Sequence, residues 1–147
     1  LYLEDLQDPG NMGTILRIAD WFGIKTVLCS PNCVDVYNPK VIQASMGAFL
    51  RVASVEMELQ QLKGQFPELP ILASTRDGRN VFTVKAPQAA VVAIGNEGSG
   101  LSKALLELAD ERIAVPPAAN SGMESLNAAV ATGIICAVLA NRPITSP

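Results

Sequence analysis

A glycine-rich segment at residues 95–100 contains one carboxylate, Glu97, and directly follows an apolar run. A strand, a glycine cluster and a helix in that order expose backbone N–H groups to a ligand at the carboxyl edge of a sheet. The order G-x-x-G-x-G matches neither the dinucleotide-binding pattern nor a P-loop, and the segment could form only a tight turn. Core packing is a poor explanation for a carboxylate between glycines at the end of a strand. Glu97 therefore favours a functional site over a turn without function.

A predicted helix carries the second group that could do chemistry, the guanidinium of Arg17. Gly10 and Gly13 precede it, and Gly13 lies one turn earlier on the same face, which would leave room for a ligand. Arginine binds phosphate through two parallel N–H donors. The alternative is an Arg17–Asp20 pair on a solvated helix face, with Asn11 as the N-cap. Taken alone, this segment slightly favours the alternative.

The third segment ends in Ser125 and Asn127, at the start of a helix predicted over residues 126–141. Ser125 is the expected N-cap of that helix. The helix is apolar nearly all round, so we expect it to be buried on several sides, within the domain or in a subunit interface. Asn127 would then be a polar group at the mouth of an apolar site and must find a hydrogen-bond partner.

Composition excludes several classes of enzyme. The 147 residues include no histidine, which removes Ser-His-Asp and Cys-His catalysis and most zinc sites. The three cysteines form no C-x-x-C pair, which indicates small buried hydrophobes in a reduced, cytoplasmic setting. A net charge of −3 argues against a free-standing nucleic-acid binder, although a dimer or a further domain could supply positive charge. No apolar run is long enough to span a bilayer.

The elements that must position these residues alternate between strands and helices. This alternation predicts one α/β domain, with a mainly parallel sheet and helices on both faces. The predicted strands cover residues 1–6, 26–29, 50–55, 71–74, 89–94 and 113–115. The predicted helices cover residues 12–22, 40–45, 59–65, 102–109 and 126–141. The run at residues 89–94 is apolar throughout, as expected of a central strand covered on both faces.

Together and in this order, the three segments resemble a known family. Residues 8–19 (DPGNMGTILRIA), residues 94–101 with 113–116 (IGNEGSGL and IAVP) and residues 124–131 (ESLNAAVA) are similar to the motifs of SpoU-type (TrmH-like) RNA ribose 2′-O-methyltransferases of the SPOUT superfamily. Residues 44–48 (ASMGA) also resemble the segment that connects the first two motifs. The resemblance covers essentially the whole chain.

The resemblance implies a fold that residue patterns could not indicate. Knots are nearly absent from proteins, yet the family implies a deep C-terminal trefoil knot, with the last helix threaded under the glycine-rich loop. It also implies a homodimer formed through the C-terminal helix region. Residues 1–147 would be the catalytic domain, and we expect an N-terminal RNA-recognition domain to be absent from this chain.

The implied reaction transfers the methyl group of S-adenosylmethionine to a ribose 2′-hydroxyl of ribosomal or transfer RNA, with ribosomal RNA favoured and without a metal. The resemblance assigns catalytic roles to the following residues: Asn11, Arg17, Glu97, Ser125 and Asn127. It assigns cofactor contacts to the following residues: Ser74, Thr75, Gly95, Val115, Met123 and Leu126.

Three points stay open. The general base could be the arginine, Glu97 or a phosphate oxygen of the RNA, since a guanidinium has a pKa above about 12. The loop at residues 116–122 is longer than expected and should lie over the cofactor. The alternative function is a non-catalytic RNA-binding or scaffold protein on the same fold; a nucleotide-dependent oxidoreductase fails on the glycine order.

Overall fold

The computed structural model describes residues 1–140 and contains a six-stranded sheet in which each pair of neighbouring strands is parallel. The strands are β1 (Tyr2–Leu3), β2 (Thr26–Cys29), β3 (Ala53–Glu56), β4 (Ile71–Asn80), β5 (Val91–Ile94) and β6 (Glu111–Ala114). Their order across the sheet is β3-β2-β1-β5-β4-β6. The predicted parallel α/β architecture is confirmed.

Helices cover both faces of the sheet. They are α1 (Pro9–Trp21), α2 (Pro39–Ser45), α3 (Leu59–Gln65), α4 (Lys103–Leu108) and α5 (Ala128–Ala140), with short 3-10 helices at Ala48–Leu50 and Val81–Thr83. Residues of α1, α2 and α5 share one hydrophobic cluster, and residues of α3 and α4 share another. In β1, Leu3 belongs to the first cluster and Tyr2 to the second, as the period of two in a strand requires.

The chain reverses its direction of travel across the sheet between β1 and β5. The connection after β1 leads through α1 toward β2, whereas the connection after β5 leads through α4 toward β6 on the opposite side. Because α1 and α4 lie on opposite faces, a crevice opens beyond the carboxyl ends of β1 and β5. Ligands of open α/β sheets bind at such a switch point. All four residues of β5 are buried, as predicted for a central strand.

All six predicted strands and all five predicted helices are present, and two have the predicted bounds: β2 at Thr26–Cys29 and α3 at Leu59–Gln65. Gly23 has φ +73°, the left-handed conformation expected just after the end of α1. The strand predicted at residues 50–55 is shifted, because a 3-10 helix occupies Ala48–Leu50 before β3 begins.

The largest errors in strand length are at β1 and β4. The first strand covers only Tyr2–Leu3, and Asp5 beyond it has φ +53°, which no strand residue can adopt. The strand predicted to end at Ser74 continues to Asn80, because after a register shift the chain pairs again with β6. Gly78 permits this approach, since a Cβ there would lie 2.6 Å from the backbone of Ile113.

Gly13 packs α1 against α2 and leaves no room for a ligand. A Cβ at Gly13 would lie 2.5 Å from Cβ of Ala44 and 2.7 Å from the carbonyl oxygen of Val41. The expectation that Gly13 opens a path to Arg17 was therefore wrong. The small residues that resembled a connecting segment, at 44–48, include the surface on which α1 packs.

The last helix begins at Ala128, two residues later than predicted, and Asn141 at its predicted end lies outside the described residues. Its buried residues include Ala129, Ile135 and Cys136, whereas Val130 is half exposed. The trefoil knot stays a prediction. Among residues 1–140, no helix is long and apolar enough to cross a membrane.

Candidate functional site

Three side chains from distant parts of the sequence form one hydrogen-bonded chain at the switch point. The Asn127 amide nitrogen donates to Asn11 Oδ1 at 2.8 Å, and the Asn11 amide nitrogen donates to Glu97 Oε1 at 3.1 Å. Asn11 lies in the first turn of α1, Glu97 follows β5, and Asn127 directly precedes α5. We call this arrangement the Asn11–Glu97–Asn127 chain. It unites one residue from each of the three segments singled out in the sequence.

The orientation of both amides follows from their neighbours. Asn127 Oδ1 accepts from the backbone N–H groups of Ala129 and Val130, at 2.9 and 3.2 Å, so its nitrogen must face Asn11. Asn11 then presents its oxygen to Asn127 and its nitrogen to the Glu97 carboxylate. Each amide nitrogen has two N–H donors and uses one in these contacts, which leaves one donor apiece for a further acceptor.

Glu97 is held by the loop between β1 and α1. Its carboxylate accepts backbone N–H bonds from Gln7 at 3.2 Å and from Asp8 at 3.0 Å, in addition to the Asn11 amide. Burial favours the neutral acid, but the hydrogen bonds from Asn11 and from the backbone prevail and hold the pKa of Glu97 below its usual range. The carboxylate is therefore ionised at neutral pH and engaged on both oxygens.

The glycine-rich loop is closed on itself, as its structural alternative requires. Asn96 and Gly100 exchange backbone hydrogen bonds at 3.1 and 2.9 Å. A Cβ at Gly95 would lie 2.3 Å from the carbonyl carbon of Gly100, so only glycine fits there. The Asn96 side chain accepts from the N–H groups of Gly98 and Ser99 at 2.9 and 3.0 Å. The tight turn and the site are thus the same structure, because the turn presents Glu97.

Two predicted helix caps were wrong. Asp8, not Asn11, is the N-cap of α1: its Oδ1 accepts the N–H of Asn11 at 2.7 Å, and Pro9 starts the helix. At α5, Asn127 takes the capping role predicted for Ser125, which is exposed in the preceding loop. In both cases a polar residue directly before the helix is closer to the orphan N–H groups than the residue predicted.

Arg17 is exposed on α1, and the Arg17–Asp20 pair is not formed. Asp20 instead binds Arg51, with Nη2 at 2.8 Å from Oδ2. Among residues 1–140, no ion pair or side-chain hydrogen bond occupies the Arg17 guanidinium. It is available to an external anion, although it does not line the cleft described next.

An open cleft of about 580 Å³ lies over the Asn11–Glu97–Asn127 chain. It is lined by Gln7, Asp8, Pro9, Asn11, Glu97 and Asn127. Of the five residues predicted to be catalytic, the structure places Asn11, Glu97 and Asn127 in this cleft, and it places Arg17 and Ser125 outside its lining. Within the described part of the chain, no group of three or more His, Cys, Asp or Glu side chains could hold a metal ion.

The residues predicted to contact a cofactor lie within β4, just after β5 and β6, and in the loop before α5. β5, β4 and β6 are adjacent, so Gly95 after β5, Ser74 and Thr75 within β4 and Val115 after β6 lie at one edge. The remaining two, Met123 and Leu126, are 78% and 49% exposed in the loop before α5. We call these six residues the cofactor segments.

Thr75 is the notable member of the cofactor segments. Its Oγ1 is the only side-chain oxygen or nitrogen atom among residues 1–140 that is buried without a hydrogen-bond partner. A buried hydroxyl without a partner costs free energy. A ligand with a donor or acceptor at this edge would satisfy it, so the residues present fit a bound cofactor.

Sequence reasoning missed a second group of hydrogen-bonded residues, which join the end of β1 to the segments on either side of Glu97. Asp5 and Ser30 bond each other, and the Asn96 amide nitrogen donates to the Asp5 carbonyl at 2.8 Å. Buried Glu4 accepts from the N–H and hydroxyl of Ser102 at 2.6 and 2.7 Å. Their one signal in the sequence was two adjacent acidic residues at the end of an otherwise apolar strand.

Comparison with known proteins places this chain in a family. Residues 1–137 match the model of the SpoU rRNA methylase family. An uncharacterized tRNA/rRNA methyltransferase of Synechocystis sp. is 36% identical over 139 residues, which cover 92% of this chain and 50% of that protein. The 23S rRNA (guanosine(2553)-2′-O)-methyltransferase of Bacillus subtilis is 31% identical over 139 residues. The match covers 92% of this chain and 55% of that protein.

Comparison with solved structures points to the same family. The crystal structure of the SpoU methyltransferase AviRb from Streptomyces viridochromogenes, in complex with the cofactor AdoMet, superposes with a TM-score of 0.90 at 26% identity. The match covers 99% of this chain and 58% of that one. The chain spans about half the length of the curated relatives it matches. On its sequence and its fold, this chain belongs to the SpoU rRNA methylase family.

Proposed function

We propose that this chain is the catalytic domain of an S-adenosylmethionine-dependent RNA methyltransferase that modifies a ribose 2′-hydroxyl, with ribosomal RNA the favoured substrate. The observation that carries the proposal is the Asn11–Glu97–Asn127 chain, which brings one residue of each family motif to a single cleft. The names of the relatives support the reaction type, and the net charge of −3 leaves RNA selection to a local basic group or to a further domain.

S-adenosylmethionine would supply an electrophilic methyl group, so that no metal is required. The protein must then align the ribose hydroxyl and accommodate one proton. Asn11 and Asn127 line the cleft, and the second N–H of each amide suits an oxygen of a ribose or phosphate. The exposed guanidinium of Arg17 would bind the phosphate beside the target ribose. Ser125, in the loop before Asn127, would contact the same nucleotide.

Glu97 acts as a positioning group in this proposal, not as the general base. Three N–H donors already occupy its oxygens, and its pKa lies below its usual range. A carboxylate with a lowered pKa is a weak proton acceptor. Glu97 would instead orient the Asn11 amide. The ribose proton would leave as the new O–CH₃ bond forms and makes the oxygen strongly acidic, so a phosphate oxygen of the RNA could accept it, while Arg17 stays protonated and holds that phosphate.

The cofactor segments would hold S-adenosylmethionine, largely through backbone contacts. The unpartnered hydroxyl of Thr75 supports this placement, since a polar ring atom of the cofactor could bond it. Met123 and Leu126 would pack on the apolar parts of the same molecule. The loop at residues 116–122 would lie over it.

We further propose a cytoplasmic homodimer that pairs through the α5 region. Val130, a large apolar side chain on α5, is 51% exposed. Sedimentation at micromolar concentration should give twice the mass of one chain, and Val130→Glu should shift it toward the monomer. A wild-type monomer at that concentration would contradict the interface.

Calorimetry tests the cofactor first. S-adenosylmethionine and its demethylated product should bind in the micromolar range, and NAD should not. Thr75→Val should weaken binding about tenfold through the lost hydrogen bond, whereas Thr75→Ser, which keeps a hydroxyl, should bind as the wild type does. If neither cofactor form binds while RNA does, the chain is a non-catalytic RNA-binding protein. If Thr75→Val binds as well as wild type, the cofactor does not contact this hydroxyl.

A further inference from the structure

Asp5 has a left-handed backbone conformation, which is uncommon for residues other than glycine. Its φ is +53°, and among residues 1–140 the only other non-glycine residue with positive φ is Met46. Left-handed backbone is costly for a residue with a Cβ and persists only where the surroundings impose it. Asp5 lies just after β1, at the entry to the loop that leads to α1.

Ser30 imposes this conformation. The Asp5 N–H donates to Ser30 Oγ at 2.8 Å, and the Ser30 hydroxyl donates in turn to Asp5 Oδ1 at 2.7 Å. Ser30 is buried, and its own N–H donates to the Leu3 carbonyl at 2.9 Å. The Ser30 hydroxyl, which lies at the end of the neighbouring strand β2, therefore hydrogen-bonds to both the backbone and the side chain of Asp5.

The turn at Asp5 brings the loop between β1 and α1 into contact with the glycine-rich segment. The Asp5 carbonyl accepts from the Asn96 side chain at 2.8 Å. Two and three residues further on, the N–H groups of Gln7 and Asp8 donate to the Glu97 carboxylate. The two loops thus meet at consecutive residues, Asn96 and Glu97, and the register of that contact depends on the reversal at Asp5.

We infer that the Asp5–Ser30 pair is a positioning device that sets the Glu97 carboxylate, and through it the Asn11 amide, for methyl transfer. This inference rests on the proposed function of the site. Asp5 and Ser30 do not line the cleft, and their side chains hydrogen-bond to each other and not to the cofactor segments. Their loss should therefore lower kcat and leave the KM for S-adenosylmethionine within about threefold of wild type.

Substitutions at Asp5 and Ser30 in the full-length protein test whether the backbone conformation and the hydrogen bonds of this pair affect kcat. Asp5→Asn keeps an Oδ1 acceptor and tolerates the left-handed conformation, so kcat should stay within threefold of wild type. Asp5→Ala loses both and should lower kcat at least tenfold. Ser30→Ala should do the same, whereas the control Ser54→Ala removes a hydroxyl 3.6 Å from the Cys29 sulfur on the adjacent strands and should not.

A readout without substrate tests the geometry directly. In Asp5→Ala, the Gln7 and Asp8 amides should lose hydrogen-exchange protection, and the pKa of Glu97, followed by NMR, should rise toward its ordinary value. Asp5→Asn should preserve both signals. If kcat is unchanged in Asp5→Ala, or falls only with the fraction of folded protein, the pair is merely structural and the inference is overturned.

The two failures are distinguishable. Absence of methyl transfer by the wild-type protein contradicts the proposed function, and the NMR measurement still decides the inference about geometry. An unchanged Glu97 pKa together with protected Gln7 and Asp8 amides in Asp5→Ala would overturn it whatever the reaction is.

Discussion

The two halves of the site differ in how far the protein itself completes them. In the Asn11–Glu97–Asn127 chain, each side-chain acceptor is matched to a donor from the protein. In the cofactor segments, the Thr75 hydroxyl is buried without a partner, and Met123 is 78% exposed. The fold alone fixes the first half, whereas the second has polar and apolar groups that a bound molecule would satisfy.

Position in the sheet explains the difference. The Asn11–Glu97–Asn127 chain lies where β1 and β5 end side by side, and backbone N–H groups of the β1–α1 loop hold its carboxylate. The cofactor segments depend in part on residues 116–126, all of which are exposed. A site anchored to strand ends is set when the sheet forms, but a solvated loop has few contacts that fix it.

Gly95 is one of the cofactor segments and also closes the turn that presents Glu97, so its substitution should have the largest effect. In Gly95→Ala the new Cβ would lie 2.3 Å from the Gly100 backbone, which cannot yield as a side chain can. We expect a loss of about 3 kcal/mol of stability or more, together with loss of activity. Gly98→Ala is the matched control, because its Cβ would meet only the Asn96 side chain at 3.5 Å. Thermal unfolding measures both; equal melting temperatures would contradict the close approach.

Arg17→Ala should distinguish catalysis from cofactor binding. The guanidinium is exposed and free of internal partners among the described residues, so its loss should leave the fold and the affinity for S-adenosylmethionine unchanged. Methyl transfer should fall by about 100-fold or more, as for other charged groups that act on the transition state. Lys103→Ala is the control, since it removes only a surface pair with Glu107 at 3.7 Å. A fully active Arg17→Ala enzyme would exclude a catalytic role for this residue.

Asn127 has two functions, and two substitutions distinguish them. Its oxygen caps α5, and its nitrogen donates to Asn11. Asn127→Ala should lose about 1 kcal/mol of stability and at least tenfold in kcat. Asn127→Asp retains a capping oxygen but cannot donate, so stability should recover while kcat stays low. Denaturant unfolding and single-turnover rates check this; recovery of kcat in Asn127→Asp would make the contact with Asn11 irrelevant to catalysis.

Local sequence patterns predicted which strands and helices exist better than they predicted where each one begins and ends. The apolar runs of β2 and β5 and the periodicity of α1 depend on neighbouring residues, so the sequence displays them directly. Caps failed where two suitable residues compete: Asp8 stands three residues before Asn11, and Asn127 two after Ser125. The extension of β4 to Asn80 was invisible because it depends on pairing with β6, more than 30 residues away.

The site itself needed information beyond local patterns. Asn11 is separated from Glu97 by 86 positions and from Asn127 by 116, and no spacing rule predicts contacts at such distances. The family resemblance grouped the three residues, and the structure supplies the hydrogen bonds that join them. It also shows what the motifs alone did not: Gly13 serves the packing of α1 on α2, and Glu97 is held mainly by backbone N–H groups.

The smallest expected effect concerns Glu97 and acid. Because its folded-state pKa is lowered, the unfolded chain binds more protons between the two pKa values, and stability falls as pH falls through that interval. Glu97 therefore stabilises the protein fully above about pH 5, and this contribution is lost at lower pH. Glu97→Gln places an amide N–H₂ against the N–H donors of Gln7 and Asp8 and removes the titration. Urea unfolding of both proteins should show a stability difference that is constant from pH 7 to 5 and shrinks below pH 4. A difference that stays constant to pH 3 would mean that the loop does not favour the ionised carboxylate, and Glu97 would then regain its place among the possible general bases.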